Sequence, residues 1–335
     1  MAPSRRIILS AAALLLVLAA GVVGACGSDD SSSGGGSISL VAYSTPQEAY
    51  QEVIPAFQDT SQGKGTSFKQ SYGASGDQAR AVEAGLKADV VALSLAPDVD
   101  KLVDAKKVPA DWNKDSYDGF VTNSVVVFAV RKGNPKNIKT WADLTKDGVD
   151  VITPNPFTSG GAKWNVMAAY GANSDVGKNK QAGEDYLRAL FKNVSVQSKS
   201  AREALQTFVG GKGDVLIAYE NEAITAQQKQ QDVDYVVPDA TILIQNPIAA
   251  TTTASAAAKD FVTFTQTDEA QKIYSEKGYR PVKKDVPGAK TFPTPSGLFN
   301  IDDLGGWPSV NKEFFDPDTG LMADINKSLG QPTEK

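Results

Sequence analysis

Apolar residues along the chain gather into short runs that alternate with stretches of helical spacing. Residues 38–43 form a β-rich run, 47–57 carry apolar side chains at helical intervals, 89–95 read as an apolar strand and 121–130 as another. The alternation continues through strands at 149–153 and 215–219 and helices at 163–170, 184–191, 201–209 and 221–228. This pattern predicts an α/β protein whose sheets are mostly parallel, with no internal repeat. In such sheets ligands sit beyond the carboxyl ends of strands, where helices begin.

The first residues follow a different rule. Arg5 and Arg6 precede an apolar run over 7–23 that ends in Val23-Gly24-Ala25-Cys26, the pattern of a signal peptide over 1–25 with a lipobox. Cys26 is the only cysteine in the chain, so it makes no internal disulfide, and it is the expected site of lipidation after cleavage. Residues 27–37, rich in Ser, Gly and Asp, read as a flexible tether to the outer face of the cytoplasmic membrane. The 335 residues carry 34 Lys and Arg against 39 Asp and Glu, a net charge of −5. Cleavage would remove two arginines and no acid, leaving 32 against 39, or −7. That balance argues against nucleic acid or an anionic lipid surface as a partner.

Two Ser/Gly turns, Ser71-Tyr72-Gly73-Ala74-Ser75-Gly76 and Thr158-Ser159-Gly160-Gly161, each open a helical pattern. Serine followed by glycine at a helix start exposes backbone N–H groups, adds a hydroxyl donor and lets a ligand come close, so the turns read as paired anion cradles. Charge screening over about 8 Å leaves attraction in a closed site to local dipoles and donors. An enzyme using Ser75 or Ser159 as nucleophile finds little equipment: the chain has no histidine, no second cysteine and no recognisable carboxylate metal cluster. Glu220 and Glu222 stand at i and i+2 and do not share a helical face, so they read as charges at a helix start and as lobe contacts. Trp164 and Trp307 read as packing residues.

Over nearly all of the mature chain, an ordered set of motifs resembles the periplasmic sulfate-binding proteins that serve ABC importers. The motifs are Ser71 to Ala79, Arg131-Lys132-Gly133-Asn134-Pro135-Lys136, Asn155 to Asn165, Gly213 to Ala223, Tyr279-Arg280-Pro281 and Gly305-Gly306-Trp307. The resemblance implies a two-lobed periplasmic-binding-protein fold of type II, with two crossing segments near 121–124 and 245–250 and a ligand cleft between the lobes. Lobe one would be 38–120 plus 249–335, and lobe two 121–248. It further implies a monomer that needs no cofactor or metal and hands sulfate to a membrane permease with its ATPase.

Carried over residue by residue, the resemblance implies donors at the backbone of Ser44, the hydroxyl of Ser75, the hydroxyl and backbone of Ser159, and the amides of Gly160, Gly161 and Ala201. All are neutral, and four helix ends together approach the charge of a dianion. With no acceptor facing the ligand, fully ionised sulfate is favoured over phosphate, which keeps a proton. Thiosulfate is the close rival, with molybdate and phosphate behind it. Two residues depart from the family. Tyr219 stands where a tryptophan is usual, either donating its hydroxyl to the anion or packing under the cleft. Asp77 replaces a lysine, and serves either as a charge at the helix start or as an acceptor that would admit phosphate. Arg202 either buttresses the cleft loops or is solvated.

Overall fold

The computed structural model describes residues 36–333, so the leader 1–25, Cys26 and most of the tether lie outside the described residues. The chain begins with β1 (Ser37–Tyr43), α1 (Gln47–Gln58), β2 (Ser67–Gly73), α2 (Ser75–Glu83), β3 (Val90–Ala92) and α3 (Ala96–Asp104). It continues through β4 (Phe120–Arg131), β5 (Val151–Pro154), α4 (Gly160–Asn173), α5 (Lys180–Lys192), β6 (Val194–Ser198), α6 (Ala201–Val209), β7 (Val215–Tyr219) and α7 (Glu220–Gln228). It ends with β8 (Val233–Val236), β9 (Ala240–Ala250), α8 (Ala256–Thr265), α9 (Asp268–Glu276), β10 (Arg280–Pro281), β11 (Gly297–Phe299), α10 (Gly306–Phe314) and α11 (Leu321–Ser328). The strands and helices expected from apolar spacing are all present, and α6 and β7 keep their expected limits.

The main strand order is β2-β1-β3-β9-β4-β7-β5-β6. Parallel ladders join β1 to β2 and β3, β5 to β6 and β7, and β11 to β9. The parallel expectation therefore holds where helices connect neighbouring strands, as the crossover geometry requires. Each antiparallel ladder involves β4 or β9: β4 pairs with β7, β8, β9 and β10, and β9 with β3. These two long strands pair with each other at Thr122↔Asn246 and Asn123↔Gln245, then diverge into opposite halves of the molecule.

Each half has its own core. Ile38, Leu40, Tyr50, Phe57, Phe261 and Tyr274 cluster where α1, α8 and α9 cover β1. Phe128, Trp164, Met167, Leu190 and Ile217 belong to a second cluster around α4. The C-terminal segment packs on this second cluster: Phe299, Trp307, Phe314, Met322 and Ile325 join it. Small residues on α4 create the seat. A methyl on Gly171 would lie 2.4 Å from the Phe299 ring, so only glycine lets β11 approach. Trp307 meets Trp164 edge to face at 4.7 Å, and ion pairs Lys180–Glu313 and Arg188–Asp324 hold the outer side. Apolar complementarity between segments more than 100 residues apart decides this docking, and no local pattern announces it.

Candidate functional site

The polypeptide turns sharply from strand to helix at four places that converge. After β1, Ser44-Thr45-Pro46 leads into α1. After β2, Ala74 caps α2, whose first residue is Ser75. After β5, Ser159 caps α4, with its Oγ accepting from the Ala162 N–H. After β6, Ser200 caps α6, accepting from the Glu203 N–H, and Ala201 is the first helical residue. At each start the first amides have no acceptor within the helix and point outward along the positive end of its dipole.

Close packing shows that these starts meet. A methyl built on Gly161 would lie 3.4 Å from Ser159 Oγ and 3.5 Å from both Ala201 Cβ and Tyr219 Cε1. One on Gly76 would lie 3.1 Å from the Thr158 carbonyl oxygen, so the two Ser/Gly turns abut. The Tyr43 and Tyr219 rings are 6.4 Å apart, and Thr45 O accepts from Arg202 Nη2 at 3.2 Å, which brings the Ser44 loop beside Ala201. Ser159, Gly161, Ala201 and Tyr219 thus meet at one locus, with the Ser75–Gly76 turn against Thr158 and the Ser44 loop beside Ala201, and Ser75, Ser159 and Tyr219 are each no more than 3% exposed.

Two of the expected donors are already engaged. The Ser75 hydroxyl donates to Asp98 Oδ2 at 2.7 Å and accepts from the Ser94 N–H at 2.9 Å, so α2 offers backbone amides rather than that hydroxyl. The Ser159 N–H bonds Asn155 O at 2.9 Å, closing the turn and leaving its hydroxyl hydrogen as the donor. Tyr219 caps α7 and bonds Ser94 Oγ at 2.7 Å. Burial pushes its phenol well above the ordinary value, so it is a protonated hydroxyl throughout the physiological range.

The charges around the locus cancel locally. Arg202 forks onto Glu48 at 2.5 and 2.6 Å and reaches Glu222 at 2.9 Å, while Lys229 also pairs with Glu48. Burial alone would raise Glu48, but the Arg202 and Lys229 hydrogen bonds outweigh it and hold the carboxyl at about 2. Glu222, fully buried, is raised by desolvation, with Arg202 opposing. Glu220 is raised in the same way, and Arg280 opposes at 2.8 Å. Asp77 pairs with Arg80 and, at 2.9 Å, with Lys199. Gly76 and the Thr158–Gly160 turn line a cavity of about 180 Å³ that is also bordered by Arg80, Lys163 and the ion pair Lys101–Asp98.

Several site residues carry no local signal. Ser94 lies in an apolar run, Asp98 in an ordinary helix start, and Asn165 one turn into α4. Asn165 Nδ2 donates to Thr153 Oγ1 and Ile217 O, while its buried Oδ1 accepts nothing among the described residues. It borders a small enclosed space with Gly161, Ala201 and Tyr219, so the surroundings are not purely donors, as the sequence had suggested. Among the described residues no group of acidic or sulfur side chains has the arrangement of a metal site.

Residues 38–280 match the model of a family described as bacterial extracellular solute-binding protein. This chain belongs to that family. A sulfate-binding protein of Synechococcus elongatus is 41% identical over 291 residues, covering 83% of each chain. A thiosulfate-binding protein of Pseudomonas aeruginosa is 34% identical, over 82% of this chain and 88% of its own. Among solved structures, the sulfate-binding protein SubI from Mycobacterium tuberculosis is 47% identical with a TM-score of 0.81, over 84% of this chain and 99% of its own. The solute-binding fold is therefore the expected two-lobed type II arrangement, and the family's extracellular character agrees with export.

Proposed function

We propose that this solute-binding protein captures sulfate in the cleft and delivers it to the permease and ATPase of an ABC importer, without catalysis, cofactor or metal. The observation that carries the reading is the convergence of four helix starts on one locus whose nearby charges are internally paired. Neutral donors then face the ligand: the Ser44 backbone, the amides at the start of α2, the Ser159 hydroxyl, the amides of Gly160, Gly161 and Ala201, and Tyr219. Each hydrogen bond to a charged group contributes about 1.5 to 3 kcal/mol, so a handful suffices for micromolar binding after association costs. Sulfate relatives at higher identity than the thiosulfate relative favour sulfate, with thiosulfate as the second reading.

In this reading the lobes open about β4 and β9. The first lobe runs from 38 to 120 and resumes at 249 through α9, and the second comprises 121–248 together with the C-terminal helices. Cys26 anchors the mature monomer by its lipid to the outer face of the cytoplasmic membrane. Calorimetry on residues 27–335 should give micromolar or tighter sulfate binding, and Ser159→Ala should weaken it about tenfold by removing one charge-assisted donor. Indifference of the wild-type protein to sulfate and thiosulfate alike would refute the assignment.

The cations beside the Thr158 turn offer the approach route. An acidic protein repels a dianion at long range, and Arg80, Lys101 and Lys163 offset this locally. Lys101→Glu should slow sulfate association several-fold in low-salt stopped flow with dissociation little changed, and the difference should fade as salt rises. Equal association rates at low salt would remove this route from the account.

A further inference from the structure

Ser94 is 1% exposed and ties together elements from both halves of the molecule. Its N–H donates to Ser75 Oγ at 2.9 Å, at the start of α2. Its carbonyl accepts from the Trp164 indole N–H at 3.0 Å, on α4, and from Asn246 Nδ2 at 3.1 Å, on β9 where that strand crosses β4. Its hydroxyl bonds the Tyr219 hydroxyl at 2.7 Å, at the end of β7. Its side chain also lies directly over α4: a methyl on Gly160 would stand 2.8 Å from Ser94 Cβ and 2.9 Å from its Oγ.

We propose that Ser94 is a positioning residue of the oxyanion site, fixing the Tyr219 hydroxyl so that this hydroxyl serves as a donor to the bound anion. This rests on the reading of the cleft as a sulfate site. The chemistry follows from hydroxyl bookkeeping. Two hydroxyls in one hydrogen bond hold two hydrogens and use one between them. When Ser94 donates to Tyr219, the phenolic hydrogen is left for a second acceptor, and a tetrahedral dianion in the cleft supplies one in competition with the nearby Asn246 side chain. Without Ser94 Oγ the phenol is still present but can turn away, so orientation is lost rather than the donor itself. An indole N–H has a fixed direction and would need no such partner, whereas a phenol O–H rotates about its C–O bond and does. The contacts through the Ser94 backbone reach Ser75, Trp164 and Asn246, so the same residue places the tyrosine relative to the starts of α2 and α4 and to the crossing strands.

The test is a double-mutant cycle read by calorimetry with sulfate and thiosulfate on Ser94→Ala, Tyr219→Phe and the double variant. Because Ser94 acts through Tyr219, each single variant should lose about tenfold in affinity and the double variant should lose no more than Tyr219→Phe alone. Losses that multiply to about a hundredfold, or Ser94→Ala within twofold of wild type, would overturn the proposal while wild-type binding still upheld the sulfate reading. A wild-type protein that binds neither anion overturns both. Should Ser94→Ala fail to fold, the wild-type protein gives an independent readout. Sulfate should change its near-ultraviolet tyrosine band and shift the fluorescence of Trp164, judged against Trp164→Phe, and an unchanged tyrosine band at saturating sulfate counts against the proposal.

Discussion

Gly161→Ala is expected to lower sulfate affinity about a hundredfold while leaving the melting temperature unchanged or slightly raised. The added methyl would meet Ser159 Oγ, Ala201 Cβ and Tyr219 Cε1 at 3.4 to 3.5 Å, ordinary contact distances, so nothing has to move to admit it. Alanine is the better helix former, by up to about 1 kcal/mol, and α4 begins at Gly160. The methyl nevertheless fills the space through which an anion approaches the amides of α4 and α6. Losing two charge-assisted hydrogen bonds costs about 3 kcal/mol, or a hundredfold. The neighbouring Gly160→Ala should behave oppositely in stability, because its methyl would be pressed to 2.8 Å from Ser94 Cβ and 2.9 Å from Leu95 Cγ, both buried. Overpacking of that kind costs about 1 to 3 kcal/mol. Calorimetry with thermal melts on both variants decides the matter, and a Gly161→Ala protein with wild-type affinity would move the anion away from this turn.

The helix starts were legible because serine and glycine at a strand end have a local meaning. Ser159 caps, Gly160 and Gly161 admit close approach, and both roles depend on neighbours within three residues. β2 was not legible. Its residues Ser67 to Gly73 show no apolar alternation and are half exposed, and they form a strand because β1 pairs with them residue for residue, from Ser37↔Ser67 to Tyr43↔Gly73. Ser94 was hidden for a similar reason. It sits in a run that reads correctly as a strand end, yet three of its partners, Trp164, Tyr219 and Asn246, stand 70, 125 and 152 residues away. The Ser75 hydroxyl, expected to face the ligand, turned instead to a buried Asp98 that sequence spacing gives no reason to notice. Local chemistry announced where the helices start, and tertiary packing decided which hydroxyls are already engaged.

Arg202→Met should be the most destabilising single change at this site, costing about 3 to 5 kcal/mol at neutral pH, because it strands Glu222 in a fully buried position. The cost should depend on pH with a definite sign. Desolvation already raises Glu222 above its ordinary 4.5 and Arg202 opposes it, so the variant carboxyl rises further. A raised carboxyl favours the fold when protonated, and this stability is lost as pH climbs through its folded value. Glu48 behaves in the opposite sense. Held at about 2 in the wild-type protein against an ordinary 4.5, it contributes stability above 4.5 that is lost as pH falls toward 2. Acidification therefore relieves the variant more than the wild type, where Arg202 already opposes the rise of Glu222 and where the Glu48 contribution is lost as pH falls toward 2, so their urea unfolding curves should converge as pH falls from neutrality through the carboxylate range. A gap as wide at pH 4 as at pH 7 would mean that Arg202 contributes packing of its stem and not charge compensation. The combined variant Arg202→Met with Glu222→Gln should recover much of the loss at neutral pH, since removing both members of a buried pair leaves no uncompensated charge. That recovery would separate the support given to the Thr45 carbonyl, which neither substitution restores, from the electrostatics. Sulfate affinity in the stable double variant then measures how far Arg202 acts on the site by holding the Ser44 loop in place.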